Sequence, residues 1–334
     1  MARPLRIEYA GAVYHVMARG NNRQAIYLAE DDFVFYLHTL GESVEQTGWR
    51  VHAYVLMRNH YHLLLETPEP NLVAGMKWLQ QTYTQRFNAR HKRSGHLFQG
   101  RYKSIPVDAE EAESVQRIST YIHLNPFRAG LCEGPHGANL VAYRWSSYPG
   151  YLSPASHRPA WLETERVLAS MGLADCPRDR RRYRLLMEER MAYERAAGNA
   201  AGVKAAYKDL RRGWYVGDAE FGEWLLERLT GHEKQLSGAQ RRDHGEAEAE
   251  RLLRVGLTVI GFSLEDVVMW PSVDVRKQSL AWLLKTRTTV GMAWIADRLC
   301  MGHWSNASRA VSRFRTSHGK EERKWRRKMS QCTG

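Results

Sequence analysis

The sequence predicts an α+β fold: a ferredoxin-like, RRM-like antiparallel sheet of βαββαβ order, followed by an all-α region. Strand and helix patterns alternate over roughly the first 130 residues, and a further helix follows the fourth strand. This order is typical of one sheet with helices packed on one face. From Trp161 onward helical spacing dominates. We expect three domains, at residues 1–150, 151–245 and 246–334.

Each element of the first part follows from its pattern. The predicted strands are rich in apolar, aromatic and β-branched residues, and they cover residues 12–19, 49–57, 61–67 and 102–107. The predicted helices carry apolar side chains at three- and four-residue spacing, and they cover residues 30–46, 72–90 and 109–124. Asp108 is the expected N-cap of the last of these helices.

The second half is predicted to be helical. Residues 131–160 are rich in turn residues and indicate a connection, whereas the sequence pattern assigns no role to residues 185–245. Helices are predicted at 276–286, 290–300 and 305–315, with a Met-Gly turn before the last. Helix, turn and helix in this order favour a helix-turn-helix. A plain helical bundle with a basic tail is the alternative.

The composition indicates a polyanionic partner. Of 334 residues, 49 are Lys or Arg and 36 are Asp or Glu, so the formal net charge is +13. This surplus favours nucleic acid first and an anionic membrane second. A 43% hydrophobic content excludes a disordered or fibrous chain. The first residues lack the apolar segment of a signal peptide, no stretch could span a membrane, and the four cysteines lie far apart, so we expect a cytoplasmic protein.

His60-Tyr61-His62 is the first candidate for chemistry. Alternate residues of a strand point to the same side, so both imidazoles would project together and could bind one divalent metal. The alternative is a pair of histidines on a solvated strand face. The pair follows polar Arg58-Asn59 and opens an apolar strand, which favours a position at the beginning of a strand over one in a tail or loop. The sequence contains no HExxH motif, which disfavours a zincin protease, and no third alternating histidine.

Tyr121 and Asn125 are the second candidate. They are four residues apart on the third predicted helix, so they would lie on one face. An asparagine amide oxygen can bind a hard metal, and a tyrosine one turn away could reach a phosphate on that metal. Pro126 disfavours helix at Asn125, so we expect the helix to end there. The alternative for Tyr121 is an ordinary core or surface aromatic.

Three long motifs carry a resemblance to a known family: MRNHYHLLLE at 57–66, SGHLFQGRYKS at 94–104 and TYIHLNPFRAGL at 120–131. In this order and spacing they resemble the single-tyrosine transposases of the HUH superfamily, and more narrowly the REP-associated tyrosine transposases of bacteria. The likeness spans roughly residues 8–150, including WSSY at 145–148. Tyr61 departs from the family's pattern, in which an aliphatic residue between the histidines is more usual.

The resemblance implies a metal-dependent enzyme that nicks and rejoins single-stranded DNA beside REP-type hairpins. It implies that His60, His62 and Asn125 hold Mg²⁺ or Mn²⁺. It also implies that Tyr121 is the nucleophile and forms a 5′-phosphotyrosine link. The active form would be a monomer or a homodimer.

DNA contacts are expected in both halves. In the first half the candidates are basic residues near the strand mouths and aromatic residues that could stack on bases: Arg19, Arg23, Arg58, Phe98, Arg101, Tyr102, Lys103 and Arg128. The last two predicted helices resemble the helix-turn-helix of some long transposases of this group, reminiscent of the DnaA module. Its candidates are Trp304, Ser305, Asn306, Arg309 and Arg313.

Two other classes remain open. The first is a catalytically silent, domesticated transposase that binds hairpin DNA as a regulator. The second is another metal-dependent nuclease or RNA-processing enzyme on a similar fold. A covalent protein–DNA adduct separates these classes, because only a tyrosine nucleophile predicts it.

Overall fold

A computed structural model describes residues 6–132, 139–196, 207, 210, 213–229, 238–288, 290–317 and 319–330. The chain divides into two compact units, at residues 6–225 and 226–334. The described residues between 151 and 225 therefore pack within the first unit. The assignment of separate roles to residues 1–150, 151–245 and 246–334 stays a prediction.

The first unit is built on one four-stranded sheet. Its strands are β1 (Ala12–Arg19), β2 (Arg50–Met57), β3 (His60–Thr67) and β4 (Lys103–Val107). They lie in the order β2-β3-β1-β4, and every neighbouring pair is antiparallel. This is the order of a ferredoxin-like sheet, so the predicted fold class is confirmed.

The helices of the first unit connect and cover the strands. They are α1 (Glu30–Thr47), α2 (Leu72–Arg90), α3 (Ala112–His123), α4 (Asn125–Arg128), α5 (Tyr148–Tyr151), α6 (Glu165–Ser170), α7 (Pro177–Ala196) and α8 (Ala219–Leu229), the last of which extends past residue 225. Short 3₁₀ turns lie at Asn21–Arg23, Leu140–Ala142 and Ala155–His157.

Helices cover both faces of the sheet, which corrects the expectation of helices on one face. Tyr61 and Leu63 of β3 share a core with Tyr36 of α1 and Leu79 of α2. Leu64 of β3 lies on the other face and shares a core with α3. The reason is the two-residue period of a strand, which sends neighbouring side chains to opposite faces, both of them apolar here. His60 and His62 share the face of Leu64, the one that α3 covers.

The start of α3 differs from the prediction. The helix begins at Ala112 with Glu111 as its N-cap residue. The Asp108 carboxylate accepts hydrogen bonds from the backbone N–H groups of Glu110 and Glu111, at 3.0 and 3.3 Å. Asp108 therefore stabilises the turn before the helix. The end of α3 agrees with the effect of Pro126: the helix stops at His123, and α4 begins at Asn125.

The second unit is helical in its described part. Its helices are α9 (Gly238–Ile260), α10 (Leu264–Met269), α11 (Val275–Arg287), α12 (Met292–Arg298), α13 (Trp304–Thr316) and α14 (Lys320–Ser330). The turn between α12 and α13 contains Gly302 with φ +74°, a left-handed conformation that favours glycine. Ala307, Ala310 and Phe314 form the buried face of α13. Within the described ranges, no helix has the length and hydropathy needed to cross a bilayer.

Candidate active site

The histidine pair and Tyr121 meet in one pocket of the first unit. This pocket has a volume of about 1110 Å³ and is lined by His60, His62, Tyr121 and Asn125. Further predicted residues at its wall are Arg19, Arg23, Arg101, Lys103 and Arg128. A single chain therefore supplies both sequence motifs and a strongly basic lining.

The sheet and α3 bring the site together. The His60 and His62 rings lie 5.3 Å apart between centroids. The Tyr121 ring lies 5.3 Å from the His62 ring, edge to face at 85°. Tyr121 is 6% exposed and also belongs to the core between α3 and the sheet. The rings are in contact because α3 crosses the face to which the even-numbered residues of β3 point.

The donor groups of the pocket fit a divalent metal. Burial, followed by the charge of Arg19, lowers the pKa of His60 to about 4, so its imidazole is neutral at physiological pH. A neutral imidazole is the metal-binding form of histidine. Asn125 adds an amide oxygen at the same pocket. Among the described residues, no cluster of three or more His, Cys, Asp or Glu could hold a metal, so the candidate set is these two histidines with the amide.

His15 is a member of the site that sequence reasoning missed. It is fully buried on β1, and its ring lies edge to edge with the His62 ring, with centroids 5.0 Å apart and an interplanar angle of 24°. Its Nε2 lies 2.8 Å from His62 Nδ1, and its Nδ1 lies 2.9 Å from the Leu210 carbonyl oxygen. Burial lowers the pKa of His15 to about 3. The feature that could have identified His15 is the strand register, because the pairing of β1 with β3 places it on the same face as His62.

Arg128 lies at the pocket as predicted, but it is engaged by a buried carboxylate. Its Nε and Nη2 donate to the two carboxylate oxygens of Glu194, at 2.7 and 2.8 Å. Its Nη1 donates to the Tyr121 carbonyl oxygen at 2.9 Å. The Tyr207 hydroxyl also donates to Glu194, at 2.9 Å. This group braces the backbone of Tyr121, and Glu194 and Tyr207 come from a region to which the sequence assigned no role.

Glu194→Gln should destabilise the first unit by about 2 kcal/mol, because it leaves a partly buried guanidinium without its counter-charge. Burial alone would raise the pKa of Glu194, but the hydrogen bonds and charge of Arg128 outweigh it and hold that pKa below its usual value. The stabilisation is therefore present above the ordinary glutamate pKa of about 4.3. It is lost as the pH falls through the lower folded-state pKa.

Urea unfolding of the full chain at neutral and acidic pH measures this effect. Glu188→Gln is the matched control, since Glu188 lies on the same helix and forms an exposed ion pair with Arg184. We expect that control to stay within about 0.5 kcal/mol of the wild type. Equal losses in the two variants, or a Glu194 effect that does not shrink on acidification, would contradict the ion-pair account.

Two aromatic residues predicted to stack on bases are buried instead. Phe98 is 7% exposed and packs against Tyr61 and Tyr83, at centroid distances of 6.0 and 6.3 Å. Tyr102 is 6% exposed, and the Arg6 guanidinium lies 3.8 Å from its ring centre. Both rings are buried in the hydrophobic core, so neither presents an exposed face on which a base could stack. This corrects their assignment as stacking residues.

The motif that contains the histidine pair also contains Tyr61 and Arg58. Tyr61, the departure from the family pattern, is fully buried on the face of α1 and α2, and its hydroxyl oxygen accepts from Gln80 Nε2 at 3.1 Å. An aromatic ring is therefore accommodated between the histidines. Arg58 is exposed at the turn between β2 and β3 and does not line the pocket.

The candidates in the second unit lie on α13. Trp304 is 53% exposed, and Arg309 and Arg313 are exposed on the same helix. Ser305 is half-buried, and its backbone N–H donates to the His303 ring at the start of α13. Asn306 donates to the Met301 carbonyl at 2.8 Å, so its amide also stabilises the turn before α13.

The ferredoxin-like sheet carries the histidine pair on a strand, facing a tyrosine on a helix, which is the arrangement that the sequence motifs predicted. Residues 8–125 match the model of the family described as "Transposase IS200 like". These residues are similar to that family, whose members are transposases, enzymes that cut and join DNA strands. The predicted resemblance to a family of single-tyrosine transposases is confirmed for these residues.

One solved structure similar to the chain is described as "Structure of the REP associates tyrosine transposase bound to a REP hairpin". It shares 14% sequence identity with the chain, with a TM-score of 0.39. The match covers 49% of this chain and 92% of that one. No curated protein matches the sequence.

Proposed function

We propose that this protein is a metal-dependent single-stranded DNA endonuclease and strand transferase that nicks beside REP-type hairpins. The observation that carries the proposal is the contact of Tyr121 with His62 in a pocket walled by basic residues. The narrower choice of REP-type hairpins rests on the three sequence motifs. The domain at residues 1–150 would perform the chemistry.

The reaction would proceed through Tyr121. Its hydroxyl loses its proton as the oxygen attacks the scissile phosphorus, an O–P bond to tyrosine forms, and the bond from phosphorus to the 3′-oxygen breaks. The leaving 3′-oxygen takes up a proton and becomes a 3′-OH. A Mg²⁺ or Mn²⁺ ion, held by His60, His62 and Asn125, would neutralise phosphate charge. The 5′-phosphotyrosine link keeps the bond energy, so a 3′-OH can reverse the attack without ATP.

The basic wall would hold the DNA backbone. Arg19 is oriented by Gln99, whose Oε1 accepts from its Nε and Nη2 at 3.1 and 2.6 Å. Arg101, just before β4, and Lys103, the first residue of β4, line the same pocket. Contacts of this kind fix the position of a strand without reading its sequence. They support placement of the scissile phosphate between Tyr121 and the histidine pair.

The test is a cleavage assay with single-stranded REP-hairpin DNA and Mn²⁺ or Mg²⁺. DNA labelled at its 3′ end should become covalently attached to the protein, whereas DNA labelled at its 5′ end should be released with a free 3′-OH. Binding of the hairpin without a nick would favour the regulator. A nick without an adduct would indicate a water nucleophile and another class of nuclease.

The site should act in cis. Tyr121 and His62 belong to one chain and lie in ring contact, so a mixture of Tyr121→Phe and His62→Ala proteins should show no cleavage. Each variant mixed with the wild type is the control and should leave wild-type cleavage unchanged. Activity restored by mixing the two variants would show that the tyrosine is supplied by a partner chain.

The second unit would add DNA affinity through α13, as a helix-turn-helix. If Arg309 and Arg313 each contact one phosphate, the double alanine variant should reduce the slope of log affinity against log salt by about 2. Arg251→Ala is the control, because Glu248 on the same helix already pairs with Arg251. Binding measured by fluorescence anisotropy over a salt series gives the slope. An unchanged slope would favour a plain helical bundle.

A further inference from the structure

We propose that His15 and Asn59 are positioning residues that hold His62 and His60 in one tautomer, with the proton on Nδ1. Both imidazoles would then present the lone pair of Nε2 to a divalent metal. The proposal rests on the proposed metal-dependent function, but it concerns protons that are in place before metal or DNA binds.

The tautomer of His62 follows from a chain of two hydrogen bonds. The Leu210 carbonyl oxygen can only accept, so His15 Nδ1, at 2.9 Å from it, must carry a proton. His15 is fully buried and, as a neutral ring, has only one such proton. Its Nε2 is therefore an acceptor. His62 Nδ1 lies 2.8 Å from that acceptor and must be the donor. The lone pair of His62 is left on Nε2.

The tautomer of His60 follows from a second, separate chain. The Asn59 Nδ2 donates to the Arg23 carbonyl oxygen at 3.1 Å, which fixes the orientation of the Asn59 amide. The Asn59 Oδ1 then faces His60 Nδ1 at 2.7 Å and can only accept. His60 Nδ1 therefore carries its proton, and its lone pair is also on Nε2.

The two hydrogen-bond series come from different parts of the fold, and both place the histidine proton on Nδ1. One runs through β1 to the carbonyl of Leu210, and the other runs through the turn between β2 and β3. Metal-binding histidines usually donate their second ring N–H to a fixed acceptor, which sets the ring orientation and the basicity of the ligand. Here a neutral histidine and an asparagine amide would fill that role. Because each of the two neighbouring histidines has its own acceptor, the arrangement favours a metal site over two histidines that are adjacent by chance.

Nitrogen NMR of the metal-free, full-length protein tests the proposal directly. With ¹⁵N-labelled histidine, long-range proton–nitrogen correlations distinguish the two tautomers, and His60→Gln and His62→Gln identify the signals. We expect Nδ1–H for both residues in the wild type. His15→Leu should release His62 from this tautomer, whereas His15→Gln, whose amide oxygen can accept, should retain it. Asn59→Ala should change only His60.

Wild-type signals showing the proton of His62 on Nε2 would overturn the proposal. Signals that stay the same in both His15→Leu and Asn59→Ala would also overturn it. Asn59 is half-buried in the turn between β2 and β3, outside the hydrophobic core, so Asn59→Ala remains a test if His15→Leu fails to fold, which circular dichroism would show.

Metal affinity gives a second measurement. Titration with Mn²⁺, followed by electron paramagnetic resonance, should show binding weakened by about 10–100-fold in His15→Leu and Asn59→Ala. His15→Gln and Asn59→Asp keep an acceptor and should stay near the wild type. Full affinity in the folded alanine and leucine variants would contradict a positioning role. A wild type that binds no Mn²⁺ would defeat the proposed function, and the tautomer measurement would still decide this inference.

Discussion

Tyr121→Phe should abolish the covalent protein–DNA adduct and lower nicking by roughly 10³-fold or more, since it removes the nucleophilic oxygen. Hairpin binding should stay close to the wild type. Phenylalanine keeps the ring that packs against His62 and His15, at centroid distances of 5.3 and 5.8 Å. The change therefore isolates the hydroxyl group from the packing of α3.

Single-turnover cleavage and a denaturing gel for the adduct measure this effect. Tyr193→Phe is the matched control, because it deletes the same hydroxyl from a tyrosine that is 61% exposed on α7. That control should cleave and form the adduct as the wild type does. Cleavage that survives Tyr121→Phe would mean that metal-activated water attacks the phosphate and that the assignment of Tyr121 is wrong.

His62→Ala should remove cleavage and most of the Mn²⁺ affinity, because it deletes one of only two imidazole ligands in the candidate set. It also leaves buried His15 Nε2 without its donor, a loss of about 1–3 kcal/mol in unfolding free energy. Thermal unfolding must therefore be recorded beside Mn²⁺ binding and cleavage. A folded variant with no metal binding is the expected outcome.

His157→Ala provides the comparison for that variant, since His157 is exposed and lies outside the pocket. It should bind Mn²⁺ and cleave as the wild type does. A folded His62→Ala protein that still cleaves at full rate would show that the histidine pair holds no essential metal. The histidines would then have a structural role beside Tyr121.

Much of the fold could be predicted because its signals are local. The strand Ala12–Arg19 and the helix Leu72–Arg90 begin and end where their periodicity predicts. The order of these elements was enough to predict the ferredoxin-like sheet. The two-residue period of β3 also predicted that His60 and His62 share a face.

Contacts between distant segments could not be predicted in this way. His15 touches His62 because β1 and β3 are neighbours in the sheet, 47 residues apart in the chain. Glu194 meets Arg128 across 66 residues. The burial of Phe98 shows the same limit, because an aromatic residue near basic ones fits both a stacking site and a core.

The sequence by itself determined the types of the secondary-structure elements and the candidate residues of the site, because periodicity and motif spacing act over a few residues. Only the tertiary structure decided which face α3 covers, which groups orient the histidines and which charge Arg128 meets. These contacts depend on the packing of segments far apart in the chain. In these contacts the burial and hydrogen bonding of several residues must be satisfied together, so the local pattern around any one residue does not predict them.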